Sequence, residues 1–140
     1  MTGIRSQARD FAVQFLYQCE CDKLFYFPDG QFDVFTSHFQ VPVAVVPHMR
    51  SLCEGALNRL DDLDKRLGEN SQNWKVARMA AMDRAVLRLA VYELLESDTP
   101  PKVVLDEAIE LAKKYGTENS GAFVNGVLDP MARQIRTPGE

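Results

Sequence analysis

A chain of 140 residues, 46% of them hydrophobic, suits one domain with a genuine core. No apolar run approaches the roughly 18 residues that a membrane helix requires, so no membrane span is expected. The formal net charge of −4 excludes a domain that grips nucleic acid by bulk charge, but leaves room for a local basic patch.

The opening MTGIRSQARDFAVQFLYQ contains Asp10 and Gln14 and no long apolar block, so it does not read as a secretory signal. Residues 5–21 place Ala8, Phe11, Ala12, Phe15, Leu16 and Cys19 at three- and four-residue spacings, the apolar stripe of an amphipathic helix. Arg5 and Arg9 fall on another face. The three cysteines are an odd number, and Cys19 and Cys21 would point to different sides of that helix. A disulfide scaffold is therefore not expected, and a cytoplasmic setting is. Pro28 and Gly30 then mark a turn before a short helix carrying Phe32, Phe35 and Phe39.

A long helix is predicted from Val46 through Met49, Leu52, Cys53, Ala56, Leu60 and Leu63 to Leu67. Pro47 suits its first turn and Gly68 its end. The stretch GENSQNW reads as a connection, with Ser71 as a cap. Residues 75–96 read as helical again, broken near Met82. Over 84–95 the apolar residues cover most of the surface, which predicts a central helix packed on several sides. SDTPP ends it. A helix over 102–115 stops at Gly116, and Ser120 is placed to cap a last helix that Pro130 should kink near Gly126. No strand pattern appears. The prediction is an all-α chain of six or seven helices, one domain over 1–140.

Little in the sequence supports catalysis. The two histidines, His38 and His48, lack partners at metal-ligand spacing. Cys19 and Cys21 flanking Glu20 are a weak redox or metal signal. YGTENSGAFVNG holds three glycines but lacks the preceding strand and the lysine of a phosphate loop. Asp61, Asp62 and Asp64 read as a solvated helix face, and Asp106 and Glu110 as surface pairs for nearby lysines. No enzyme activity, cofactor or metal is expected.

Three stretches do carry a resemblance: ARDFAVQFLYQ at 8–18, MDRAVLRLAVYELL at 82–95, and PPKVVLDEAIELAKKYGTENSGAFVNGVLD at 100–129. In order and spacing they resemble the NusB family of bacterial transcription antitermination factors. The resemblance implies two small packed helical bundles. It implies binding to the boxA segment of ribosomal-RNA leader transcripts together with NusE, a small-subunit ribosomal protein. It also implies a place in an RNA polymerase complex with NusA and NusG. RNA contacts carry over to Arg5, Arg9, Arg88, Asn119 and Phe123, and contacts with the protein partner to Tyr17, Cys21 and Asp83. The chain departs from the family's basic pattern at Ser6, Gln7 and Ala122, and each lost phosphate contact lowers affinity and its salt dependence.

The same residues have plainer readings. Arg5 and Arg9 read equally as solvated charges, and Arg84 and Arg88 as partners of Asp83 or Glu93. Asn119 reads as a turn former, Phe123 as a core aromatic, and Tyr17 as cover for the core edge. Asn125 and Gly126 are better read as packing residues. The alternative function is a protein-interaction module, or a homodimer, with weak or lost RNA binding. A third reading is the helical front domain of certain ribosomal-RNA cytosine methyltransferases. It is weaker, because 140 residues leave no room for a methyl-donor domain.

Overall fold

The computed structural model describes residues 3–71 and 75–135, and all regular structure among them is helical. The elements are α1 (Ile4–Cys21), α2 (Asp29–His38), α3 (Val46–Asn58), α4 (Leu60–Asn70), a short 3-10 turn (Val76–Arg78), α5 (Ala81–Glu96), α6 (Pro101–Tyr115) and α7 (Ser120–Ile135). They form two packed bundles that meet on α5, which touches α1, α3, α4, α6 and α7. Its all-round apolar surface explains this position: nine of its sixteen residues are buried, against seven of eighteen in α1.

The first bundle packs α1 on α3. Ala8, Ala12, Val13, Phe15, Leu16 and Cys19 are buried on α1, as their spacing predicts, although Phe11 is only half-buried. Phe15 lies edge-on to Phe32 and Phe35, each at 5.3 Å between ring centres, and this aromatic cluster docks α2. The Arg50 guanidinium lies over the Phe27 ring at 4.8 Å. At the end of α1 the chain turns through Lys23 at a φ of 57°, and the Leu24 N–H closes back on the Cys19 carbonyl at 2.9 Å.

The long helix predicted across 46–67 is two helices. The chain bends at Arg59, whose φ of −122° and ψ of 20° leave the helical region. The bend lets α3 face α1 while α4 turns Leu63 and Leu67 toward α5 and α7. Asp61 and Asp62 in the first turn of α4 favour the new start through the helix dipole, and Arg59 reaches both Asp62 and Glu96. Gly68 does not end α4. The Ser71 hydroxyl donates to the Leu67 carbonyl at 2.9 Å, so it closes the end of α4 rather than starting another helix. The remainder of that connection, 72–74, lies outside the described residues.

The break expected near Met82 falls earlier. Met79 and Ala80 are extended, and Arg84 ties them down by donating to the carbonyls of Val76 at 2.9 Å and Met79 at 3.0 Å. In the second bundle Pro101 occupies the first turn of α6. Gly116 follows α6 with no room for a side chain, because a Cβ there would collide with the Ser120 hydroxyl. Ser120 is the first residue of α7 rather than a cap outside it. Its hydroxyl accepts the Thr117 N–H at 2.9 Å and so pins the connecting turn. α7 continues through Pro130 to Ile135.

Candidate nucleic-acid and partner interface

Arg5 is exposed in the first turn of α1. Arg9, one turn on, is not at the surface: it is 4% exposed. Its guanidinium donates to both oxygens of Glu93, at 2.6 and 2.9 Å, to Glu107 at 3.2 Å and to Thr99 at 3.4 Å. Burial by itself would lower the Arg9 pKa, but the bonds and charges of Glu93 and Glu107 outweigh it and hold the group firmly ionised. The expectation of a phosphate contact at Arg9 meets a buried side chain already engaged by two carboxylates. The residue is an internal tie between α1, α5 and α6, and with Glu93 committed to it, Glu93 does not serve Arg84 or Arg88.

Arg88 lies on α5 and is also engaged. It makes a two-pronged contact with Asp64 of α4, both bonds at 2.8 Å, and a third with Glu20 of α1 at 3.1 Å. Glu20 bridges in addition to Arg84. Burial and the neighbouring Arg88 charge push the Arg84 pKa down. Asp64 is thus not a freely solvated acid, and the arginine pair answers to Glu20 and Asp64 rather than to Asp83 or Glu93. Unlike Arg9, this cluster sits at the protein's edge, where the Arg88 side chain is 13% and the Asp64 side chain 33% exposed.

The turn before α7 brings Asn119 and Phe123 into one cleft of about 340 Å³. Asn119 is exposed, and its carbonyl accepts the Phe123 N–H at 3.1 Å as α7 begins. Phe123 is half-buried, with part of its ring on the core. The facing wall is Met79, Ala80 and Asp83, from the extended entry to α5 and its first turn. Asp83 is 9% exposed, and its Oδ1 finds no hydrogen-bond partner among the described residues.

Tyr17 and Cys21 are both exposed on α1, one turn apart. The neighbouring Cys21 thiol raises the Tyr17 pKa. Glu20 at this end of α1 reaches Arg84 of α5, and Asp83 lines the same cleft as Asn119 and Phe123. A network unseen in the sequence lies on the other side of α1. Lys114 pairs with Asp10 at 2.7 Å, Tyr115 bonds the same carboxylate, and Gln14 donates to the Tyr115 hydroxyl at 2.9 Å. Gln14 had shown only as a polar interruption of an apolar run. Its one-turn spacing from Asp10 was the available signal. Among the described residues no helix is long and apolar enough to cross a membrane.

The family model that matches the chain is that of the NusB family, over residues 6–133. The transcription antitermination protein NusB of Anaeromyxobacter dehalogenans is 47% identical over 136 residues, 94% of this chain and 92% of that protein. Among solved structures, Thermotoga maritima NusB superposes with a TM-score of 0.81 at 35% identity, covering 96% of this chain and 94% of that one. A crystal structure of the antitermination factors NusB and NusE with double-stranded RNA contains a chain that superposes at 0.83 with 27% identity, covering 96% and 99%.

Proposed function

The chain belongs to the NusB family of transcription antitermination proteins, and on that premise we propose that it binds boxA-type single-stranded RNA of ribosomal-RNA leaders together with NusE. In that role it joins the RNA polymerase complex with NusA and NusG. It is a binding protein, not an enzyme. The observation that carries the RNA reading is the cleft that sets Phe123 and Asn119 side by side at the start of α7. A half-buried aromatic ring in a cleft is a platform for an unstacked base, and the helix start beside it favours a phosphate. Arg5 supplies exposed positive charge from α1. Arg88 contributes when RNA phosphate displaces one of its carboxylates. For the basic ribosomal partner the proposed face is the exposed Tyr17–Cys21 turn of α1, next to the acid Glu20.

The test is fluorescence anisotropy with a boxA-like RNA, titrated in salt, with and without NusE. Binding is expected to be weak alone and to strengthen with NusE. Arg5→Ala should lower the slope of log affinity against log salt by about 0.7, the value for one phosphate contact on a single strand. Phe123→Ala should cost about 1–3 kcal/mol with the slope unchanged, as loss of a stacked base does.

One observation favours the second reading, an interaction module or homodimer with little RNA binding: Arg9 and Arg88 are both neutralised internally. That reading predicts weak binding by every variant, at every salt concentration, with no gain from NusE.

A further inference from the structure

We infer that Glu20 couples the two binding faces by charge exchange: a cation of the protein partner takes the Glu20 carboxylate, and an RNA phosphate takes the place of that carboxylate on Arg84 and Arg88. The inference rests on the RNA-and-partner reading and adds the residue through which one ligand strengthens the other.

The first observation is the position of Glu20. It lies in the last turn of α1 with the exposed Tyr17 and Cys21, and helical spacing puts the three on one side of that helix. From there its carboxylate reaches α5. One oxygen holds Arg84, and the other accepts from Arg88 at 3.1 Å. All three side chains are 13% exposed, so the carboxylate sits at the rim of the partner face rather than in the core.

The second observation is the balance of charge. Arg84, Arg88, Glu20 and Asp64 form one connected cluster in which the two cations match the two anions. Asp64 serves Arg88 by two bonds at 2.8 Å. Glu20 is the one carboxylate that both arginines share among the described residues. The other bonds of Arg84 go to neutral groups, the carbonyls of Val76 at 2.9 Å and Met79 at 3.0 Å. Burial and the nearby Arg88 charge push the Arg84 pKa down, so the two guanidiniums feel each other, and Glu20 is the anion between them.

These two facts make the ligands interdependent. A phosphate arriving alone must displace Glu20, which leaves a largely covered acid without its cations. A basic partner arriving alone must draw Glu20 away, which leaves two neighbouring cations without their shared anion. Either half of the exchange strands a poorly solvated charge, and that is disfavoured. When both ligands arrive the charges balance. The partner's cation neutralises Glu20, the phosphate bridges the arginine pair, and Asp64 stays on Arg88. Arg84 keeps its place because its bonds to the two carbonyls are untouched. A phosphate suits the vacated position, since guanidiniums take its oxygens in paired, charge-assisted bonds. The coupling is reciprocal: the partner raises RNA affinity by the factor by which RNA raises partner affinity, and about tenfold is expected for coupled sites of this kind.

The experiment uses the full chain, a labelled boxA-like RNA and NusE. Anisotropy gives the RNA affinity with and without saturating NusE, and the unmodified protein should gain about tenfold. Glu20→Gln keeps the shape and removes the charge. It should bind RNA alone several-fold more tightly than the parent, with the salt slope steeper by about 0.7, one added phosphate contact on a single strand. Its gain from NusE should fall to roughly 1–2-fold, as for uncoupled sites. Asp64→Asn also frees Arg88, but Asp64 lies on α4 and not beside Tyr17 and Cys21, so that variant should bind RNA more tightly and keep the NusE gain. A Glu20 that only braces the fold predicts the opposite, weaker RNA binding in Glu20→Gln with no change of slope. Side-chain nitrogen NMR of the unmodified protein decides the matter even if a variant fails to fold. The Arg84 and Arg88 guanidinium signals should move when NusE is added to the RNA complex. Unmoved signals, a NusE gain that survives Glu20→Gln, or weaker RNA binding by that variant overturns this inference and leaves the RNA and NusE reading standing. No RNA binding by the unmodified protein, or no gain from NusE, overturns both.

Discussion

Arg9 and Arg88 present the same chemistry in two regions of the molecule. Each guanidinium is held by two carboxylates from other helices, one of them in a two-pronged contact. The difference is water. The Arg9 and Glu93 side chains are 5% and 3% exposed at the junction of α1, α5 and α6, whereas Arg88 and Asp64 are 13% and 33% exposed at the edge where α1, α4 and α5 meet. Burial removes the solvent that would otherwise replace a lost partner. The inner cluster therefore behaves as structure, and the outer one can exchange a carboxylate for a phosphate at small cost.

The largest expected effect tests the inner cluster. Arg9→Met should destabilise the fold by about 3–5 kcal/mol, because it leaves Glu93 buried without its cation. Chemical denaturation followed by circular dichroism measures this directly. The double variant Arg9→Met with Glu93→Leu should recover most of the loss, since an apolar pair of similar size requires no desolvation of charge. If the double variant is as unstable as the single one, something other than the unpaired acid sets the penalty.

The outer cluster predicts the reverse pattern. Asp64→Asn should change stability by less than about 1 kcal/mol, as partly exposed pairs do. It should raise RNA affinity several-fold and steepen the salt slope by up to about 0.7, because Arg88 is then held only by Glu20. Glu20→Gln should act in the same direction but less cleanly, since Glu20 also holds Arg84. If Asp64→Asn leaves RNA affinity unchanged while Arg88→Ala also has no effect, Arg88 is structural like Arg9 and the contrast between the two clusters disappears.

The helices were legible because each keeps a 3.6-residue apolar period, and the central place of α5 because its apolar residues surround it. The bend at Arg59 was hidden for the same reason. Leu57, Leu60, Leu63 and Leu67 continue the period across it, and only the direction in which α4 packs reveals it. The fate of Arg9 was illegible because an arginine one turn after Arg5 looks like any surface charge. Its partners Glu93 and Glu107 lie 84 and 98 residues away. Asn119 and Phe123 were visible through family resemblance, but their meeting with Asp83 required the turn through Met79 and Ala80. The sequence reading placed the break near Met82, a few residues later. Long-range charge pairing and cleft formation depend on which elements meet, and the local period is silent on that.

The smallest expected effect lies beside the inner cluster, at His48 of α3. Its Nε2 is buried and without a hydrogen-bond partner among the described residues. Burial lowers its pKa first, the charges of Arg5 and Arg9 lower it further, and Glu93 opposes them without prevailing. The folded state therefore favours neutral His48 more than the unfolded chain does. As pH falls below the ordinary histidine value of 6.5, the unfolded chain takes up the proton first, so stability declines with acidity until the folded pKa is passed. The slope from this one group cannot exceed about 1.4 kcal/mol per pH unit and should be shallower, because the window between the two pKa values is partial. Denaturation midpoints measured between neutral pH and mild acid should show the decline, and His48→Gln should flatten it. Adding Arg5→Ala to the parent should also flatten it slightly, by removing one of the charges that oppose protonation. A decline that is unchanged in His48→Gln would mean that groups other than His48 govern it.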